Sequence, residues 1–297
     1  MPQTIKILNR AKREKNDEFY TRYEDIANEV QHYKEHFKGK VVYCNCDDYR
    51  FSNFVKYFKN NFDALQLRCL VATNYDIGDG VFLYINDGTN ESVSPLDGNG
   101  DFRSDECVRM LKKCDIVCTN PAFSLWREYF KQLIDYGKNF LIIGSQNAIS
   151  YKVVFPFIIE NKLWFGMNAV KQFVQPNGNV KKFGNVCWFT NIPNEKQNRP
   201  LELSKHYTPE KYKVYDNYSA INVDKVCDIP IDYDGIIGVP LTYLYYHCPS
   251  QFEIVGWSRH NDENMDGGYW LGGRNDATID GKVVYRRILI KRKQEKQ

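Results

Sequence analysis

The chain has 297 residues, 43% of them apolar and 15% aromatic, enough for one large domain or two ordinary ones with a real core. No apolar run reaches the roughly 18 residues of a membrane span, and the N-terminus MPQTIKILNRAKREKNDEF lacks the apolar region of a secretory signal. Net charge is only +3, but basic residues gather at both ends, with Lys6, Arg10, Lys12, Arg13 and Lys15 in the first arm and Lys282, Arg286, Arg287, Lys291, Arg292, Lys293 and Lys296 in the last. Basic ends on a near-neutral body suit a polyanionic partner, and are equally the composition of solvated tails. The nine cysteines are odd in number and scattered through strand-like and helix-like segments. They read as free thiols in a reducing cytoplasm.

In chain order, EDIANEVQHYKEHF places Ile26, Val30, Tyr33 and Phe37 at helical spacing. VVYCNC is a short apolar run bounded by acids and reads as a buried strand; FSNFVKYFKNNF reads as a helix. LRCLVAT and GVFLYIND are the next two strands, and DGTNESVSPLDGNGDFRS is a turn-rich loop. DECVRMLKKC predicts a helix, DIVCT a strand, SLWREYFKQLIDYG a helix closed by Gly137, and FLIIG another strand. Strands alternating with helices argue for an α/β fold with a doubly wound, mostly parallel sheet. From about residue 170 the texture becomes polar loops, prolines and isolated strands (NVCWFT, FEIVGW, VVYRRILI) with a glycine-rich loop, DGGYWLGGRND. The expected division is a basic arm over 1–16, a catalytic domain over 17–175 and a mixed α+β region over 176–297, with the boundary somewhere in 165–185.

Three places carry candidate chemistry. In DIVCTNPAF a buried strand delivers Asn120 to the carboxyl edge of the sheet, where open α/β sheets bind ligands. Pro121 keeps Asn120 extended, and together they present an amide oxygen and a backbone carbonyl, two acceptors able to grip both hydrogens of one planar amino group. Phe123 can stack on the ring that bears that group. The same residues also read as an ordinary strand-to-helix turn with Phe123 in the core. In GNGDFRS, Asp101 can accept from an adenine amino group while Phe102 packs on its face, or the stretch is simply a turn. VVYCNCDD ends its strand with Asn45, Asp47 and Asp48, which suit a cationic or hydroxylated ligand; the glycine-rich loop that a phosphate wants is absent. No ligand pattern completes a metal site, and His32 and His36 read as a solvated helix face.

In their order, these pieces resemble the EcoRI-type adenine-specific DNA methyltransferases over most of the chain. NDEFYTRYEDI is similar to that family's cofactor motif, VVYCNCDD to its first strand, GNGDFRS to its adenine-facing motif and DIVCTNPAFSLWREY to its catalytic motif. FLIIGSQNAIS, DIPIDYDGIIGVPLTYL and QFEIVG follow in the expected places. The resemblance implies a Rossmann-like methyltransferase fold with a C-terminal target-recognition region. It also implies transfer of a methyl group from S-adenosylmethionine to the exocyclic amine of an adenine flipped out of double-stranded DNA. Carried over by position, Phe19, Tyr20 and Thr21 hold the methionine end of the cofactor, Asn45 and Asp47 line its amino-acid side, Asp76 reaches its ribose, and Asp101 and Phe102 hold its adenine. Asn120, Pro121 and Phe123 receive the target base. Arg259, Asn261, Arg274 and Asn275 are the expected readers of DNA bases, and Arg286 and Arg287 belong to a phosphate-contacting strand end. The implied protein is a cytoplasmic monomer, and a cognate restriction endonuclease can act on the same site without a stable complex. The chain departs from the family at Ala122, where a second proline is usual. That leaves open a relative that binds without turnover; a methyltransferase of RNA or of a protein glutamine also uses an Asn-Pro-x-aromatic motif.

Overall fold

The computed structural model describes residues 20–76, 78, 80–174, 180–195, 197, 199–258 and 276–293. It divides into two compact units, Met1–Ser145 with Gly166–Pro193, and Gln146–Phe165 with Asn194–Gln297. Phe19 and the expected base readers Arg259, Asn261, Arg274 and Asn275 lie outside the described residues.

The first unit is built on β1 (Tyr20–Thr21), α1 (Tyr23–Val30), α2 (Lys34–Phe37), β2 (Val41–Cys44), α3 (Asn53–Asn60), β3 (Cys69–Thr73), β4 (Phe82–Asn86) and β5 (Glu91–Pro95). It continues with α4 (Asp105–Lys113), β6 (Ile116–Thr119), α5 (Trp126–Asp135), β7 (Asn139–Ser145), β8 (Trp164–Val174) and β9 (Val180–Thr190). Nine strands form one sheet in the order β1-β8-β9-β7-β6-β2-β3-β4-β5. The α/β class stands, but the sheet is mixed rather than mostly parallel. Parallel pairing is confined to β3, β2, β6 and β7. β4 runs antiparallel to β3, because residues 74–81 are too few for the crossover of about a dozen that a parallel partner needs. The expected loop after β4 contains an edge strand, β5, returned by a tight turn in which Asp87 Oδ1 accepts from the amides of Thr89 (2.9 Å) and Asn90 (2.7 Å). All five β5 residues are exposed, so no apolar alternation marked it.

The apolar stripe of the first helical segment is buried as its spacing requires. Ile26, Val30, Tyr33 and Phe37 are in the large core cluster, and a 3-10 turn, Gln31–Tyr33, joins α1 to α2. Glu29 on the same helix is fully buried. It accepts from the amides of Met167 (2.7 Å) and Asn168 (2.8 Å) and the Tyr33 hydroxyl (3.0 Å), and burial raises its pKa. Gly166 leaves the room, since a Cβ there would collide with the Glu29 carboxylate. The large sheet does not end near residue 175. β9 pairs antiparallel with β7, Ile143 opposite Trp188, and carries the first unit to Pro193.

The second unit holds α6 (Phe155–Ile159) and the strands β10 (Ala220–Asn222), β11 (Ile236–Pro240), β12 (Phe252–Trp257), β13 (Thr278–Ile279), β14 (Lys282–Val283) and β15 (Arg287–Arg292). Its main sheet has the order β10-β11-β15-β12, with β10 and β11 parallel and β15 antiparallel to both its neighbours; β13 and β14 make a two-stranded ribbon. The apolar run VVYRRILI is therefore split between β14 and β15.

Candidate active site

The carboxyl ends of β2, β3 and β6 converge in the first unit. β2 is apolar and almost wholly buried, and where it ends the chain turns through Asn45 and Cys46. Asn45 is buried. Its amide oxygen accepts from the Tyr129 hydroxyl, while its Nδ2 is buried and has no partner. Two residues on, Asp47 is held at its amide and both carboxylate oxygens: the amide donates to the Thr73 carbonyl (3.0 Å), Oδ1 accepts from the Ser52 hydroxyl (2.6 Å) and Oδ2 from the Thr119 hydroxyl (2.6 Å). Burial pushes its carboxyl up to about 6, against the two hydroxyls, which favour the ionised form. Ser52 is in turn the N-cap of α3, its Oγ accepting from the amides of Phe54 and Val55.

β6 delivers the expected acceptors. Thr119 is its last residue, fully buried. Asn120 follows, partly buried, with its amide oxygen out of solvent, and Pro121 is buried. Ala122 is exposed, with φ −56° and ψ 124°, and its carbonyl accepts from Leu125 (3.1 Å) to start the 3-10 turn Phe123–Leu125 that leads into α5. Its φ lies inside the range that a proline ring imposes. Phe123 is half-buried and packs against the large core cluster. Trp126 seats α5, its indole N–H donating to the Ile143 carbonyl (2.8 Å) of β7.

Beyond β3, Asn74 fastens the loop that carries Asp76: its Oδ1 accepts from Phe82 (2.8 Å) and its Nδ2 donates to the Gly80 carbonyl (2.8 Å). That loop is stitched to the Asp101 turn. The Asp76 amide donates to the Asn99 carbonyl (2.9 Å), and Gly100, at φ +70°, lies so close to the Asn74 carbonyl that no Cβ fits. Asp76 itself is exposed and accepts from Gly78 (2.7 Å). Asp101 is gripped by Arg103 (Nε to Oδ1 2.9 Å, Nη2 to Oδ2 2.6 Å), and that contact holds its carboxyl below the usual carboxylate range. Phe102 is nearly buried, edge-on to Tyr129 at 5.1 Å, with the Arg103 guanidinium 5.1 Å from its centroid. Tyr129 thus joins the Asn45 end of the site to the Phe102 end. Thr21 of β1 is tied in from the other side: its carbonyl accepts from Asn53 (2.8 Å) at the start of α3, and its hydroxyl oxygen is buried without a partner. Tyr20 is partly buried beside it.

All the described catalytic and cofactor candidates therefore sit in the first unit. Thr119, Ser52, Tyr129, Asn74 and Asn53 were not singled out from the sequence. Thr119 alone left a trace there, as the polar end of an apolar strand next to Asn120. Arg287, expected at a phosphate-contacting strand end, has a nearly buried side chain that is ion-paired with Asp224 (2.8 Å) and bonded to Asn222 (3.1 Å). Arg286 is partly buried and donates to Asn147 (3.2 Å). Lys291 and Lys293 are the exposed cations of that strand end. No helix among the described residues is long and apolar enough to cross a membrane.

The sequence matches the family model described as "Adenine-specific methyltransferase EcoRI" over residues 7–93 and 80–293. It is 44% identical to the Type II methyltransferase M.EcoRI of Escherichia coli over 98% of this chain and 97% of that protein. It is 37% identical to the Type II methyltransferase M.MpnI of Mycoplasma pneumoniae, over 97% of this chain and 98% of the relative. With M.MgeORF184P of Mycoplasma genitalium the identity is 35%, over 97% and 99%. No solved structure matches.

Proposed function

The chain belongs to the EcoRI family of adenine-specific methyltransferases, and from that premise we propose how its own residues carry the reaction. The protein is a site-specific DNA methyltransferase of the Type II kind, acting on adenine. Methyltransferases of this family draw on S-adenosylmethionine, which supplies a methyl group on a cationic sulfur that leaves as a neutral thioether.

The residues present fit that group. Asn45 Nδ2 and the Thr21 hydroxyl oxygen, two buried polar atoms without partners, are assigned to its methionine end together with Phe19 and Tyr20. Asp76 is assigned to the ribose hydroxyls, and Asp101, above the nearly buried Phe102, to the adenine amino group. The Asn99–Asp76 bond keeps those two carboxylates on one stitched surface.

The target adenine enters beside Asn120. Its amino lone pair is delocalised into the ring and attacks poorly. The Asn120 amide oxygen and the Pro121 carbonyl each accept one amino hydrogen, which favours a tetrahedral nitrogen and localises the pair. The localised pair would then take up the methyl group that the cofactor supplies, and the amino hydrogen lost would pass as a proton to solvent. Phe123 replaces the stacking that the flipped base loses. The observation that carries this reading is the placement of Asn120 and Pro121 at the tip of β6, beside Asp47 and the β2 turn. Ala122 already holds the backbone angle a proline would impose, so the reading is of an active enzyme.

Sequence choice is assigned to Arg259, Asn261, Arg274 and Asn275, by bidentate contact to guanine and adenine edges, and phosphate contact to Lys291 and Lys293. The protein works as a monomer, and its Type II context is a cognate endonuclease that shares the site without a stable complex. Expression in a host lacking adenine methylation, followed by genome sequencing with modified-base detection, tests the whole reading. One motif methylated throughout at adenine is expected; an unmodified genome overturns it.

A further inference from the structure

Asp47 occupies the edge where the cofactor is expected, yet both of its carboxylate oxygens point into the protein, one to Ser52 and one to Thr119. The Ser52 end is rigid, because the same oxygen caps α3. The Thr119 end is the last residue of β6, bonded through the chain to Asn120. The tip of the catalytic strand is thus fastened, through one carboxylate, to the helix that follows β2. We propose that Asp47 and Thr119 form a latch that positions Asn120 for the methyl transfer, making both of them positioning residues rather than cofactor ligands.

Two physical points support this. Fixing a strand end needs no charge; a buried carboxylate, pushed up to about 6 by its burial, is a costly device that an apolar contact could replace. Its use here is directional: a hydroxyl held at 2.6 Å to an anchored oxygen fixes the Thr119 rotamer and the chain beside it, where a displacement of about 1 Å can cost on the order of 10²-fold in rate. Asn45, paired with Tyr129 of α5, ties the neighbouring turn to a further element.

The inference rests on the assignment of Asn120 as the acceptor for the target amine. Its test uses the full chain with Thr119→Val, which keeps the shape and removes the donor, Thr119→Ser, which restores it, Asp47→Ala, and the Asp47→Ala/Thr119→Val pair. Single-turnover rate, KM for DNA, cofactor Kd by titration and Tm are measured. Thr119→Val is expected to lower kcat roughly 10- to 100-fold, with cofactor Kd held within about 3-fold, and Thr119→Ser to recover most of that rate. The double variant should be no slower than Asp47→Ala, since that change already removes the acceptor of the Thr119 bond. Full kcat in Thr119→Val, a Thr119→Ser variant as slow as Thr119→Val, or losses that multiply in the double variant would overturn the latch. If Thr119→Val does not fold, Thr119→Ala carries the same comparison. Asn120→Ala separates the two claims: activity there removes the assignment of Asn120 itself, whereas an inactive Asn120→Ala beside a fully active Thr119→Val removes the latch alone.

Discussion

Asn120 and Ala122 are two residues apart and make opposite predictions. On the proposed mechanism the Asn120 oxygen acts only as charge develops on the attacked nitrogen, so Asn120→Ala should lose on the order of 10²-fold or more in kcat with little change in cofactor affinity; single-turnover rates and cofactor titration check this. Ala122 sits at φ −56°, so Ala122→Pro fits without strain. It should stabilise by about 0.4–1 kcal/mol through the unfolded chain and raise turnover or leave it unchanged, as denaturant midpoints and kcat will show. Asp47 contributes a pH dependence. Its carboxyl titrates at about 6 in the folded protein against 3.8 unfolded, so the folded state holds the extra proton between those values. Stability from this group is greatest below pH ~4 and falls as pH rises through about 6, a loss on the order of 2–3 kcal/mol at neutral pH. A side-chain amide at this position carries no charge; its oxygen keeps one of the two bonds as acceptor, while its Nδ2 has to donate to the other hydroxyl oxygen. Asp47→Asn should therefore raise Tm clearly at pH 8 and hardly at pH 4; an equal shift at both would sink the argument.

Elements explain why Asp76 and Asp101 share a surface. The Asp76 and Asp101 loops leave different strands, yet Asn99, Gly100 and Asn74 bind them backbone to backbone. Asp101 thus has a frame that survives loss of its side chain. Asp101→Ala should weaken cofactor binding about 5- to 100-fold, the worth of one lost acceptor to an amino group, and leave DNA affinity alone. Isothermal titration with the cofactor is the check, and an unchanged Kd would make Asp101 only the capping partner of Arg103. The same level explains the mixed sheet: short connections after β3 and β4 permit hairpins and forbid crossovers.

Taken as a whole, the molecule divides its cations between the surface and the core of the second unit. Arg287 stands with Asp224, Asn222 and, through Asn222, Tyr215 (2.8 Å), whereas Lys291 and Lys293 are exposed. Charge reversal at Lys291 and Lys293 should weaken binding to all DNA sequences alike and flatten its salt dependence. Arg287→Met should instead lower stability by about 1 kcal/mol, because it removes the bonds to Asn222, Asp224 and the Tyr285 carbonyl. Salt-series binding isotherms and thermal melts on the same variants separate the two roles, and a flattened salt slope from Arg287→Met would reverse them.

The sequence alone determined the α/β class, the order of most helices and strands, and the motif that brings Asn120 and Pro121 to a strand end, because periodicity and proline act locally. It did not reveal β5, whose residues face solvent on both sides, nor that β9 extends the large sheet, because pairing partners far apart in the chain leave no local pattern. Only the tertiary structure showed which partners these charged residues have. Asp47 and Arg287 read from the sequence as ligand contacts at an edge and a basic end. Burial and partners brought from distant segments (Thr119 in the one case, Asp224 and Asn222 in the other) turn both inward, since a charge taken out of water must find its hydrogen bonds within the fold.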